Sequence, residues 1–201
     1  MQAEEIFGPI AAMRSHLLEA VQASGFHHGG FVWGEGPLSS RIVFVGEAPG
    51  ANEVMSGRPF VGQAGRNLDD FFGLAGLRRE DIYLTNAVKF RPVKLGKRGL
   101  VNRSPSVPEM RLCAGFLMEE IKRIGPMLVV TLGNVPLKVL AGGGVTIGHV
   151  HGTTIPLNDG LGSGILFPLY HPASIIYNKL LVQIYQADLA KLASLVKSQL
   201  G

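Results

Sequence analysis

The chain has 201 residues, a single cysteine, a formal net charge of +4 and a pI near 9.4. Hydrophobic residues make up 46% of it and charged residues 17%, which excludes an intrinsically disordered chain and supplies one domain, residues 1–201, with a sizeable core. One thiol, Cys113, excludes an internal disulfide framework and any multi-cysteine metal site within one chain. The first residues carry neither a positive n-region nor an apolar h-region, and no apolar run is long enough to span a bilayer. A cytoplasmic monomer without membrane contact is therefore expected, and its excess of positive charge suits an anionic partner.

From Glu4 to Ala23, Ile6, Ile10, Met13, Leu17 and Val21 recur at three- and four-residue spacing, so an amphipathic helix should end near Gly25. Phe26 to Ser40 reads as glycine-rich connection. The β-branched and aromatic run Ile42-Val43-Phe44-Val45 predicts a buried strand. A glycine-rich loop follows, and helical periodicity resumes from Ala64 to Ala75. Ile82 to Val88 predicts a second strand. Arg91 to Pro108 reads as a long loop broken by Pro92, Pro105 and Pro108. A helix over Glu109 to Ile124, a strand over Met127 to Leu132 and a short helix over Pro136 to Ala141 come next. Gly142-Gly143-Gly144 marks a turn, Ile165 to Tyr170 a last strand, and Leu180 to Leu200 a closing amphipathic helix. Strands alternating with helices predict an α/β fold, a three-layer α/β/α sandwich around a short, mostly parallel central sheet.

In such a sheet ligands bind beyond the carboxyl ends of the strands. Three of those ends carry polar residues that a core would not want: Glu47 after the first strand, Asn86 late in the second, and His171 after the last. A carboxylate, an amide that both donates and accepts, and an imidazole together suit the handling of an extruded base. The loop from Val45 to Gly65 adds Glu53 and the ring of Phe60. Its glycines, Gly46 among them, admit close backbone approach, and the N–H groups of Gly62 and Gln63 at the next helix start can face a phosphate.

Lys89, Arg91, Lys94, Lys97, Arg98 and Arg103 form a basic stretch with no acid among them, and phosphate contacts are expected of it. His27-His28 and His149-Val150-His151 lack a second cluster at metal-binding spacing, so no metal is expected. The glycine patterns match neither the dinucleotide nor the P-loop fingerprint, and no cofactor is expected.

Four segments taken together resemble the successive motifs of family-four uracil-DNA glycosylases. They are Gly46-Glu47-Ala48-Pro49-Gly50, Gly57-Arg58-Pro59-Phe60-Val61-Gly62, Thr85-Asn86-Ala87-Val88-Lys89 and Tyr170-His171-Pro172-Ala173. The resemblance runs from about Arg41 to the carboxyl terminus. It implies a DNA-repair enzyme that flips deoxyuridine out of DNA and hydrolyses its glycosidic bond without a metal in the chemistry. It further implies that Glu47 orients water and supports the cationic sugar, and that His171 stabilises charge developing on uracil O2. By the same resemblance Phe60 stacks on the base, Asn86 pairs with its polar edge, and Glu53 faces C5. Ser174 and Ile175 occupy the segment that pushes into the minor groove.

The chain also departs from that pattern. The family usually binds a four-iron cluster through four cysteines; Cys113 matches one of those positions, Phe90 stands at another, and the amino-terminal pair is absent. An extension from Lys94 to Gly99 resembles relatives that capture uracil-DNA covalently through a histidine in a basic loop. No histidine lies between Lys89 and Pro108, so covalent capture is not expected. Two alternatives stay open at this point: a non-catalytic protein that binds uracil- or lesion-containing DNA, and a glycosylase for another deaminated base such as hypoxanthine.

Overall fold

The computed structural model describes residues 3–157, 160–177 and 180–200. The amino-terminal run forms α1 (Ala3–Ser24), which stops at Gly25 in the left-handed region. Two strands follow, β1 (His28–Phe31) and β2 (Ile42–Gly46). The long motif loop is built around two helices, α2 (Ala51–Ser56) and α3 (Gln63–Ala75). A single 3-10 turn at Arg79–Asp81 leads into β3 (Tyr83–Asn86), and then come β4 (Phe90–Gly96) and β5 (Gly99–Asn102). Ser106 starts α4 (Val107–Ile124) with a capping box: its hydroxyl accepts from the Glu109 N–H, and the Glu109 carboxylate accepts the Ser106 N–H at 2.7 Å. The chain continues through β6 (Leu128–Leu132), α5 (Asn134–Ala141), α6 (Ile147–Val150), β7 (Ile155–Pro156) and β8 (Ile165–Leu169). It closes with α7 (Pro172–Tyr177) and α8 (Leu180–Leu200).

Five strands form the central sheet in the order β3-β2-β6-β8-β7, parallel except for the short edge strand β7. The alternation of β2 explains its unbroken apolar sequence. Ile42 and Phe44 turn to one face, against Leu68, Phe71 and Phe72 of α3 and Leu192 and Val196 of α8. Val43 and Val45 turn to the other, against Leu117 and Ile121 of α4 and Leu137 and Leu140 of α5. Both faces are covered, as a parallel sheet requires. None of the described helices is long and apolar enough to cross a membrane.

The expected α/β sandwich is therefore present, and a second sheet that the sequence reading lacked is present beside it. β1, β4 and β5 form a three-stranded antiparallel sheet. The stretch Arg91–Pro108 is not a long loop: most of it is the β4–β5 hairpin, closed by the two-residue turn Lys97-Arg98 between Gly96 and Gly99. Likewise the supposed connection Phe26–Ser40 contains β1. What holds this sheet is aromatic. Phe90 packs on Phe26, His28 and Phe31 with ring centroids 5.7–6.3 Å apart, and the cluster extends through Trp33 to Phe116 on α4. Ile10, Leu17 and Val21 of α1 close over it.

Candidate active site

The register of the parallel strands assembles the site. Gly46 lies directly opposite Asn86 at the ends of β2 and β3, so Glu47 and Asn86 leave the sheet side by side. β6 and β8 run parallel to them, and His171 follows β8 at the same edge. A cleft of about 350 Å³ opens there, lined by Asn86, His171, Phe60, Glu53, Gly62 and Gln63 among others. Seven sequence-expected positions thus sit in or directly beside one pocket, counting Gly46 at its floor.

Gly46 is fixed by its neighbours. A Cβ there would collide with the Asn86 amide oxygen and stand 2.7 Å from Cζ of Phe60, so the amide and the ring face one another only across a glycine. Phe60 itself has φ +55°, the one non-glycine residue with positive φ among the described residues, and its side chain is buried. Strain of this kind persists where surrounding structure over-determines it. Here the Phe60 carbonyl packs against Gly65, where any Cβ would strike it, and Arg79 donates to the carbonyls of Pro59 and Phe60 at 2.8 and 3.3 Å.

Glu53 has a second task that the motif did not reveal. One carboxylate oxygen accepts the Gly50 N–H at 3.1 Å, and the other accepts those of Val61 and Gly62 at 3.2 and 2.8 Å. It therefore clamps the start of α2 to the start of α3, and stands rigid in the cleft wall as a result.

Glu47 is half-buried, and burial raises its carboxyl above the ordinary 4.5, partly offset by a hydrogen bond from the Ser104 hydroxyl. No cation pairs with it among the described residues. His171 is depressed below the ordinary 6.5 by burial, so it is neutral at pH 7. Its Nδ1 accepts the Ala173 N–H at 3.2 Å, which puts the ring proton on Nε2. A neutral imidazole presenting an N–H donor is what this arrangement yields.

The basic stretch divides. Lys94, Lys97 and Arg98 are exposed on the β4–β5 hairpin, as DNA contacts require. Lys89 is not available to DNA: it is fully buried, with Nζ 2.6 Å from both Thr85 Oγ1 and Glu120 Oε2. Tyr83 donates to the other Glu120 oxygen at 2.8 Å, which completes the network. The expectation of Lys89 as a phosphate ligand is corrected, because its ammonium is enclosed in the core and taken up by Thr85 and Glu120. Arg103 is also paired, in a two-pronged bond to the buried Glu109 at 2.6 Å on each arm, and Arg91 donates to Oδ1 of the exposed Asn102 at 2.6 Å. Ser174 lies in α7, where its N–H donates to the His171 carbonyl at 2.8 Å. Ile175 is in the same helix, and its side chain lies outside the described residues.

An iron cluster finds no ligand set in these residues. Cys113 is the single thiol of the chain, it is fully buried, and burial raises its pKa. It shares an apolar cluster with Phe90, Val88 and Phe116, so rings occupy the neighbourhood where further thiolates would be needed. Among the described residues no group of three His, Cys, Asp or Glu side chains is placed to hold a metal ion.

Sequence reasoning missed Asn102, which reaches the cleft from β5. Its signal was present in the alternation of Val93, Lys94 and Leu95 around Gly96-Lys97-Arg98-Gly99, a hairpin pattern.

Comparison with known proteins agrees with the geometry. The Uracil DNA glycosylase superfamily profile matches residues 33–193. A type-4 uracil-DNA glycosylase of Thermotoga maritima is 40% identical over 171 residues, covering 84% of this chain and 84% of its own length. Type-4 uracil-DNA glycosylases of Archaeoglobus fulgidus and Saccharolobus solfataricus are 34% and 35% identical, covering 82% and 83% of this chain and 81% and 76% of their own lengths. A profile match over most of the chain, joined to identities of this size, places the protein in the uracil DNA glycosylase superfamily.

Proposed function

We propose that this protein excises uracil from DNA, taking deoxyuridine into the cleft and hydrolysing the bond between uracil and deoxyribose. The observation that carries the reading is a neutral His171 with its proton on Nε2, lining one cleft with the Asn86 amide, while a half-buried Glu47 without a cation among the described residues follows Gly46 at the same sheet edge.

Heterolysis of the glycosidic bond leaves positive charge on the sugar and negative charge on the departing base. A site built for it needs fixed groups of opposite character on the two sides. Glu47 supplies the anion for the sugar side and an acceptor that orients the attacking water. His171 Nε2–H supplies a donor for the charge that gathers on uracil O2, and its neutrality avoids placing a cation beside the developing sugar cation. Phe60, pinned in its strained conformation, offers a ring face to the flipped base, and Asn86 offers both amide functions to its polar edge. Glu53, held by three backbone N–H groups, stands as the rigid carboxylate facing C5. Lys94, Lys97 and Arg98 approach the phosphate backbone, Gly62 and Gln63 line the cleft, and the Ser174–Ile175 segment enters the minor groove. In this reading the working form is a cytoplasmic monomer, and no step passes through a metal.

Single-turnover incubation with oligonucleotides carrying one uracil, hypoxanthine or mismatched thymine, followed by alkali, tests the proposal. Strand cleavage at uracil alone is expected. A mobility shift without alkali-labile product would leave a binding protein, and preferential cleavage at hypoxanthine would reassign the substrate.

A further inference from the structure

Among the described residues Asn102 is the one cleft-lining polar side chain that comes from the antiparallel sheet. Its orientation is determined. Arg91 Nε stands 2.6 Å from Oδ1, and a guanidinium has donors only, so the oxygen must face Arg91 and the NH2 group must face away. Away from Arg91 is the cleft: Nδ2 lies 3.5 Å from the point that a Cβ on Gly50 would occupy, beside the Glu53 carboxylate. No acceptor among the described residues takes up Nδ2, and Asn102 is exposed whereas Asn86 is buried. The two amides thus stand at different depths of one pocket.

Depth decides what each can meet. With the base edge at Asn86 and the sugar beside Glu47, the part of an extruded nucleotide left at the exposed rim is its phosphodiester. We propose that Asn102 donates from Nδ2 to a non-bridging oxygen of a phosphodiester flanking the flipped deoxyuridine, with Arg91 holding the amide in place. The inference rests on the uracil-excision reading above. A neutral donor oriented by a cation suits this position: it satisfies an anionic oxygen without placing a second full charge beside Glu47 and Glu53. It also gives the hairpin a role distinct from the long-range attraction of Lys97 and Arg98 at its turn.

Two substitutions separate this contact from a structural role. Asn102→Ala removes both the donor and the acceptor for Arg91. Asn102→Asp keeps, and strengthens, the bond to Arg91 but turns a carboxylate oxygen toward the phosphate. If Asn102 merely braces the hairpin, Asp should be milder than Ala; if it touches phosphate, Asp should be worse.

The experiment measures affinity and single-turnover excision on uracil-containing duplexes, with each flanking phosphate replaced in turn by a neutral methylphosphonate. For the wild type, one methylphosphonate position should cost about tenfold in affinity, the scale of a hydrogen bond to a charged group. Asn102→Ala should lose a similar factor on natural DNA and lose nothing more at that position, with Asn102→Asp weaker than Asn102→Ala. Wild-type excision accompanied by an Asp variant equal to or better than the Ala variant, or by independent losses at both phosphates, overturns the contact alone. A wild type without uracil-dependent excision overturns the function and the contact with it.

Discussion

Two polar regions meet on β3, and they are treated in opposite ways. On one side of the strand, Tyr83, Thr85, Lys89 and Glu120 are fully buried and satisfy one another at 2.6–2.9 Å. At its end, Asn86 lines the cleft with His171, and Glu47 leaves the sheet beside it; among the described residues Glu47 has no cation and His171 Nε2 has no hydrogen-bond partner. The first region is closed, since every charge has its partner. The second is open, and what would complete it has to come from outside. Burial alone does not separate structural from reactive polar groups here, because Glu120 is deeper than Glu47. Satisfaction does.

The sharpest way to break this distinction is to open the closed region. Lys89→Ala leaves the Glu120 carboxylate buried beside two hydroxyls with no cation, and removing one partner of a buried pair costs about 3–5 kcal/mol. Denaturant unfolding should show that loss. At temperatures where the variant remains folded, the salt dependence of its DNA binding should match the wild type, because Lys89 does not reach phosphate. A stable variant with a shallower salt slope would return Lys89 to the DNA-contacting set.

The converse is to remove groups from the open region. Glu47→Ala or His171→Ala should lower single-turnover excision by roughly two or more orders of magnitude, with stability and DNA affinity little changed. The pH profile carries its own sign. Glu47 must be ionised, and burial has raised it above 4.5, so acidification neutralises it earlier than an ordinary glutamate. His171 must be neutral, and burial has lowered it below 6.5, so it resists protonation longer than an ordinary histidine. The acid limb of the rate should therefore lie above pH 4.5, where Glu47 takes up its proton, with full activity at higher pH. A limb below pH 4.5 would mean that other groups control the chemistry.

These contrasts mark where the sequence was readable. β2, β3, β6 and β8 announce themselves as short apolar runs, and the polar residues at their ends stand out because local pattern gives them no reason to be there. The three-stranded sheet does not announce itself. His28-Gly29-Gly30-Phe31 is poor in strand formers, Pro92 interrupts β4, and the two pair across some sixty intervening residues through rings that no local window contains. Lys89 was misread for the same reason: its partner Glu120 lies 31 positions along the chain, on a helix that folds back over β3. Arg103 differs, since Glu109 is near in sequence, but recognising the pair needed the chain to turn at Ser104-Pro105. Long-range pairing of charges is what pattern cannot show.

Glu53 stands between the two regions, at once satisfied and in the cleft. Glu53→Ala releases three backbone N–H groups and loosens the loop that holds Phe60, so uracil excision should slow by about tenfold through misplacement of the base. The same variant should gain slow excision of thymine from a G·T mismatch, because a fixed carboxylate no longer opposes the C5 methyl. Slower uracil excision without any thymine activity would leave Glu53 as a clamp only.

The smallest effect belongs to the β4–β5 hairpin, where Lys94 on the strand and Lys97 and Arg98 in the turn are exposed and make no ion pair among the described residues. Nothing in the protein consumes their charge, so they are open in the same sense as the cleft, but for a partner recognised at a distance. Replacing all three with alanine removes counterion release at the phosphates they meet, about 0.9 unit in the log–log salt slope per contact on duplex DNA. Binding should weaken most at low salt and converge with the wild type as salt rises. The single-turnover rate at saturating protein should not move, since no charge of the turn belongs to the reacting groups. An unchanged slope would make this an ordinary solvated surface. A reduced saturating rate would instead show that the turn helps to hold the flipped nucleotide, as is proposed for Asn102 on the adjoining strand. The paired measurement thus separates attraction of DNA from its placement along a single hairpin.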